Sequence, residues 1–267
     1  MMGLGLNEDS RGLLVPGNYD YPHDGDNLLT GNWATQYRAL VARANYLAQD
    51  RTDIMYAVKE LCKYMCAPDQ NDWENLKRLG RYLKEKPRVA THFYYQEKYD
   101  HISIITDSDW AGDRLTRKST SGGIIKLGSH TIKGWSSTQK VIAKSSGEAE
   151  LYAVNKGASI GLGIRSSFAD MGVTIKPEIT ISTDSSTAKA ICQRRGLGKV
   201  RHIDVEELWI QEKVYHGTIV IKKIDGKSNE SDALTKHLGQ EEIIKHMKFS
   251  SQSFQTGRHL LMPETFV

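Results

Sequence analysis

The chain has 267 residues, of which 39% are hydrophobic and 25% charged, with a formal net charge of +4. This is the balance of an ordinary globular protein, long enough for one large domain or for a moderate domain with a smaller companion. No run approaches the roughly 18 apolar residues of a membrane span, and the first thirty residues lack a secretory pattern, so the reading is a cytoplasmic or nuclear protein with no membrane partner.

The three cysteines, Cys62, Cys66 and Cys192, are odd in number and have no metal-type spacing to histidine, which argues against a disulfide framework and against a zinc site. Cys62 and Cys66 read as small core-facing residues one helical turn apart. Charge is uneven: residues 1–32 carry one Arg against five acids, residues 33–100 twelve bases against nine acids, and residues 101–240 twenty against fifteen. If some acids of the last segment serve a metal site, the rest is clearly basic, as a binder of polyanions should be.

Residues 1–32, rich in Gly, Asn and Asp and interrupted by Pro16 and Pro22, read as a flexible leader. From Ala34 the spacing turns helical. Tyr37, Leu40, Val41, Ala44 and Leu47 form one apolar stripe, Ile54, Ala57, Val58, Leu61 and Met65 a second, and Leu76, Leu79, Tyr82 and Leu83 a third. Thr52 or Asp53 is placed to open the second helix, and Asn71 with Glu74 resembles a capping pair for the third. Lys77, Arg78, Arg81 and Lys84 fall on the polar side of that third helix, where a solvated face is the plainer reading and a phosphate contact the sharper one.

After Pro87 the pattern becomes that of strands: Val89–Tyr95, Ile102–Thr106, Gly123–Leu127 and Thr131–Ser136, short and separated by turn residues. A long helix is expected over Ser146–Met171, a strand over Glu178–Thr183, helices over Ser186–Gln193 and Val205–Tyr215, a strand over Thr218–Ile224 and a helix from Asn229. This order gives an α/β fold, a mixed sheet with helices packed on it. Residues 241–267 form a tail in which Ile243, Ile244 and Met247 share a helical face.

Four acids stand out at separations of 43, 34 and 48 residues: Asp107, Glu150, Asp184 and Asp232. Each falls at a strand end or in a helix able to pack beside a strand. Hydrolysis of a phosphodiester by two cations about 3.5–4 Å apart requires such a convergence of carboxylates. Asp107 ends the apolar run Ile102–Ile105, whose near lack of alternation marks a strand buried on both faces, in the middle of a sheet. A carboxylate there is costly to bury without a cation or hydrogen-bond partners. Asp109 and Asp113, in the Gly-containing stretch just beyond, read as turn residues.

Ser145-Ser146-Gly147-Glu148 has the form of a capping box, which gives Glu148 a structural role. Glu150 lies roughly 200° further round the helix, on a face with Ala153, Val154, Gly157 and Gly161, where the glycines point to close packing on the sheet. Asp184 follows the strand Ile179–Thr183; the plain alternative is an N-cap, although Ser185 or Ser186 can fill that role. For Asp232 the plain alternative is an acid favoured by the dipole of a first helical turn. His202 is a candidate for proton transfer or product release, or else fixes the start of the helix that Asp204 and Glu207 cap.

Ile104-Ile105-Thr106-Asp107, Ala149-Glu150-Leu151-Tyr152-Ala153, Ile181-Ser182-Thr183-Asp184-Ser185 and Asn229-Glu230-Ser231-Asp232-Ala233-Leu234 resemble the four acidic motifs of ribonuclease H, in the family's order. Ser108-Asp109-Trp110-Ala111-Gly112-Asp113, Arg117-Lys118-Ser119-Thr120-Ser121-Gly122, Ser145-Ser146-Gly147-Glu148-Ala149-Glu150 and Arg201-His202-Ile203-Asp204 resemble the C-terminal part of copia-type retrotransposon Pol polyproteins. Tyr37-Arg38-Ala39-Leu40-Val41 and Leu79-Gly80-Arg81-Tyr82-Leu83-Lys84 are similar to the segment that joins reverse transcriptase to ribonuclease H in those polyproteins.

The resemblance spans Tyr37 to Leu238. It implies a ribonuclease H-like mixed five-stranded sheet with flanking helices at 89–240, after a helical connection or thumb-like segment of reverse transcriptase at 33–88. It also implies cleavage of the RNA strand of RNA:DNA hybrids with two Mg²⁺ ions, Mn²⁺ being an alternative, held by Asp107, Glu150, Asp184 and Asp232. The remainder of a Pol polyprotein is the expected partner. The polymerase of that family uses Tyr-x-Asp-Asp, and this chain has no adjacent Asp-Asp, so no reverse transcriptase active site is expected in it. Asn155, Ser185 and Ser186 are candidate donors to 2′-hydroxyls. The rival readings are a retroelement fragment that binds nucleic acid without cutting, and a recombinase or integrase on a related scaffold.

Overall fold

The computed structural model describes residues 2–7, 9–97, 101–173, 178–198, 202–203 and 205–257. The three amphipathic stripes form α1 (Gly31–Ala48), α2 (Met55–Lys63) and α3 (Gln70–Glu85), packed through Tyr37, Val41, Ile54, Leu61, Leu79 and Tyr82. A short 3₁₀ turn at Thr52–Ile54 precedes α2, and neither Thr52 nor Asp53 caps it. Their side chains are taken by Gln252 and by Arg51.

The cap of α3 lies two residues earlier than Asn71. The Asp69 carboxylate accepts from the Asp72 N–H at 2.8 Å and the Asp72 carboxylate from the Asp69 N–H at 2.9 Å, a reciprocal capping box. Asn71 instead donates to Pro22 O and Asp24 in the leader.

The next strand is shorter than expected and stands outside the main sheet. β1 (Arg88–Thr91) is followed by β2 (Ile102–Asp109), β3 (Thr120–Leu127), β4 (His130–Thr138), α4 (Ser146–Asp170), β5 (Ile179–Thr183), α5 (Ser186–Gln193), α6 (Trp209–Tyr215), β6 (Ile219–Lys223), α7 (Gln240–Phe249) and β7 (Gln252–Gln255). β1 pairs antiparallel with β7, so the tail supplies its partner. The five-stranded sheet has the order β4-β3-β2-β5-β6, antiparallel from β4 to β2 and parallel from β2 to β6. This is the mixed five-stranded sheet with flanking helices that the resemblance implies, and β2 is its central strand. The helix expected over Val205–Tyr215 begins as a 3₁₀ turn at Val205–Leu208, and the one expected from Asn229 is a 3₁₀ helix, Glu230–Leu234.

Two cores flank the sheet. On one face Ile104, Trp135, Leu151, Val154 and Ile181 pack under α4, α5 and α6. On the other, Ile124 of β3 and Leu234 join the side chains of α1–α3, so the helical segment and the sheet share one apolar interior. Lys63 seals that junction through Asp113 at 2.9 Å, and Lys59 through the Thr120 hydroxyl at 2.7 Å.

The leader is laid across α3. Two cations of that helix, read from the sequence as facing solvent or phosphate, hold it, Arg81 donating to Arg11 O and Lys84 to Ser10 O, while Lys77 pairs with Glu74 and the leader's own His23 Nδ1 lies 2.8 Å from Asp72.

Candidate active site

The tight approach of α4 to β2 sets the site. A Cβ on Gly157 would come within 2.9 Å of Thr106 Cγ2, and one on Gly161 within 2.5 Å of Ile104 Cδ1, so the glycine face predicted from the sequence is the one laid on the sheet. That approach brings Glu150 over the end of β2. Both its oxygens are held, Oε1 by the Ser108 N–H and hydroxyl at 2.9 Å each, Oε2 by the Thr183 hydroxyl at 3.0 Å. It therefore ties α4 to β2 and β5 at once.

Asp107 is buried, accepting from Asn229 Nδ2 at 3.0 Å and from the Thr235 hydroxyl. Asp184 stands where β5 ends, and the N-cap of α5 is Ser185, whose Oγ accepts from the Ala188 N–H at 3.1 Å. The cap is thus filled without Asp184. Carboxylate oxygens of Asp107, Glu150 and Asp184 lie within 4.8 Å of one another.

Like charges so close and so dry oppose ionisation. Burial, then the Glu150 and Asp232 carboxylates, push Asp107 well above the usual carboxylate range. Burial, then Asp184, pushes Glu150 up to about 7 against the hydrogen bonds from Ser108 and Thr183. An all-oxygen anionic set of this kind fits a hard divalent cation such as Mg²⁺ or Mn²⁺.

Asp232 is not brought into the three-acid group. It lies on the 3₁₀ helix, close enough to act on Asp107, and its carboxylate is paired with Lys236 at 2.8 Å. His202 is turned to Glu148, with Nε2 2.7 Å from Oε2. Glu148 completes only half of the expected capping box. Its N–H bonds Ser145 Oγ, while its carboxylate takes the Lys144 N–H, the Tyr152 hydroxyl and His202. Burial opposes its ionisation, but the His202 and Lys144 hydrogen bonds prevail and hold it below its ordinary value.

Asn155 is spent on Glu207, at 2.6 Å to its carboxylate, and so is not a free donor; Asp204 lies outside the described residues. Asp113 is a turn residue, as expected, with the Leu115 and Thr116 N–H groups and the Thr116 hydroxyl on its carboxylate. Sequence reasoning missed Asn229 and Thr235, which orient Asp107. The one available signal is that they flank Asp232 at three residues on either side.

No protein-family model matches the chain. It is 32% identical over 209 residues to the retrovirus-related Pol polyprotein from transposon RE2 of Arabidopsis thaliana, covering 77% of this chain and 14% of the polyprotein. Relatives that match over most of the chain are retrovirus-related Pol polyproteins of plant transposons. Another such Pol polyprotein, from transposon TNT 1-94 of Nicotiana tabacum, is 29% identical over 232 residues, 86% of this chain and 17% of its own length. The chain thus spans less than a fifth of these Pol relatives. Among solved structures, LC11-RNase H1 in complex with an RNA/DNA hybrid matches at 20% identity with a TM-score of 0.34, over 50% of this chain and 93% of that one.

Proposed function

We propose that the chain is a divalent-metal-dependent nuclease that hydrolyses the RNA strand of RNA:DNA hybrids, as the ribonuclease H portion of a retrotransposon Pol polyprotein acting in the cytoplasm or nucleus. The observation that carries this reading is the meeting of Asp107, Glu150 and Asp184 from three separate elements within 4.8 Å. Those three side chains would hold the cations, two Mg²⁺ ions in this reading, with Asp232 as a fourth ligand once released from Lys236. Bound there, the cations supply charge neutralisation on the phosphate and a more acidic attacking water.

The protein's own part is positional. Ser108 and Thr183 fix both oxygens of Glu150, and Asn229 and Thr235 fix those of Asp107, so the donors face the phosphate without reorganising. His202 acts through Glu148 as a positioning residue, holding the first turn of α4 from which Glu150 projects.

The test is cleavage of an end-labelled RNA:DNA hybrid by the purified chain with and without Mg²⁺, beside duplex DNA and duplex RNA. Mg²⁺-dependent cutting of the hybrid's RNA strand, lost in Asp107→Asn, is the expected result. The pairing of Asp232 with Lys236 favours one rival, a fragment that binds hybrid without cutting, and retained binding with no metal-dependent cleavage would select it. Strand transfer into DNA in the same assay would select a recombinase-type reaction instead.

A further inference from the structure

The acids of this protein end abruptly beside the candidate active site. Between Asp113 and Glu148 the sequence contains no Asp or Glu but seven cations: Arg114, Arg117, Lys118, Lys126, Lys133, Lys140 and Lys144. This stretch builds β3, edge strand β4 and the loop into α4. On α4 the next acid after Glu150 is Asp170.

Two of these lysines, Lys133 and Lys140, gather with Lys156 of α4 where β4 meets that helix. Lys156 crosses from the helix to donate to Ser137 Oγ on β4, and the charges acting on it are those of Lys133 and Lys140, with no carboxylate among them. Burial and these two ammonium groups hold Lys156 below its ordinary value. Among the described residues none of the three has an acidic partner, unlike Lys63 and Lys236, which are paired. Lys133 and Lys140 are exposed. A cluster of mutually repelling cations without counter-charge, one of them half-buried, is stabilised by an anion.

Its position says which anion. Ser136 of β4, next to Ser137, is in register with Gly122 and, through it, with Asp107, so the cluster lies two strands from the carboxylates, roughly 10 Å across the sheet. Lys156 is six residues from Glu150, about 9 Å along α4. A polyanion that places one phosphate at the carboxylates therefore brings further phosphates to the lysines.

We propose that the seam between β4 and α4 binds the phosphodiester backbone of the nucleic-acid substrate, with Lys133, Lys140 and Lys156 as the phosphate contacts and Ser137 orienting Lys156. This rests on the nuclease reading for the identity of the ligand, and it is tested apart from cleavage. Binding of a fluorescent RNA:DNA hybrid to the full chain is measured in EDTA over a range of KCl concentrations.

The K133Q/K140Q/K156Q variant is expected to bind at least about tenfold more weakly, with a salt slope shallower by about two to three, one per lost contact. Paired replacements on α7, K245Q/K248Q, should stay within twofold of the parent, and K156R should retain affinity. Circular dichroism and the unfolding midpoint of each variant check that it is folded. As a second readout, hybrid should protect the three lysines of the parent from acetylation, scored by mass spectrometry. A triple variant with the parent's affinity and slope, or a parent that does not bind, overturns the proposal. Loss of affinity in the variant without metal-dependent cleavage by the parent leaves the phosphate site standing and removes the nuclease reading.

Discussion

Glu150 has every oxygen hydrogen-bonded and still resists ionisation, because burial and Asp184 outweigh the donors. Its pKa of about 7 in the fold stands above the ordinary carboxylate value, so the unfolded chain releases this proton first. Ionisation therefore weakens the cation-free fold as pH rises from about 4.5 to 7, by on the order of 3 kcal/mol. Glu150→Gln should abolish cleavage yet unfold several degrees above the parent at pH 8 in EDTA. At pH 4, or when the parent is given Mg²⁺, that advantage should vanish in thermal melts.

His202 gives a contrasting case. By holding Glu148 below its usual range it contributes stability that is present above the unfolded pKa of Glu148 and lost as pH falls through the folded one. His202→Ala should cost about 1 kcal/mol at neutral pH in denaturant titrations. It should leave the shape of the cleavage pH profile intact, and loss of one limb of that profile would instead assign His202 a proton-transfer role.

Asp107, Glu150 and Asp184 were legible because each follows an apolar strand or sits on a glycine-backed helical face. The engagement of Asp232 by Lys236 was not, because spacing alone cannot distinguish a metal ligand from an i, i+4 ion pair. Nor were the contacts of Asn229 and Thr235, which reach Asp107 from more than a hundred residues away.

At the scale of elements, α4 on β2 is the joint that matters. Alanine at Gly157 would gain about 1 kcal/mol of helix propensity but must displace the short, stiff Thr106 side chain, and overpacking of this kind costs about 1–3 kcal/mol. Gly157→Ala should therefore be destabilised on balance. It should lose cleavage beyond what the unfolded fraction explains, since Glu150 moves with the helix. Chemical denaturation and kcat measured on the same samples check this.

The strands and helices of the sheet region could be read from apolar alternation and glycine placement. The partnership of β1 could not, because its partner β7 follows α7 and carries Gln252 and Gln255 rather than an apolar repeat. The packing of the leader was hidden for a related reason: Leu4, Leu6 and Leu29 reach the helical core as scattered residues and many of its other contacts are polar, so neither leaves a periodic trace in its own sequence.

Over the whole molecule, the helical segment and the sheet share the interior around Ile124 and Leu234, and a buried charge network anchors one to the other. Arg51 donates to both oxygens of Asp53, which also accepts from the Tyr82 hydroxyl, and Arg51 reaches Lys86 O just before β1. Arg51→Met leaves Asp53 buried without its cation, a change that costs about 3–5 kcal/mol. Because the interior is common, the loss should appear in both parts. Helical content and metal-dependent cleavage should fail at the same, lowered denaturant concentration, and two separate transitions would show that the parts fold independently.

The short pairing of β1 with β7 closes the polypeptide into a ring. The strand leaving the helices is completed only by residues that follow the five-stranded sheet, and Gln252 also clasps Thr52 at 2.7 Å. Severing the backbone between β1 and β2 would therefore not release a finished sheet. Each fragment would carry half of a two-stranded ribbon with nothing beside it, and the apolar interior around Ile124 and Leu234 would be laid bare. Any processing of a longer precursor that keeps this domain working has to cut outside the ring.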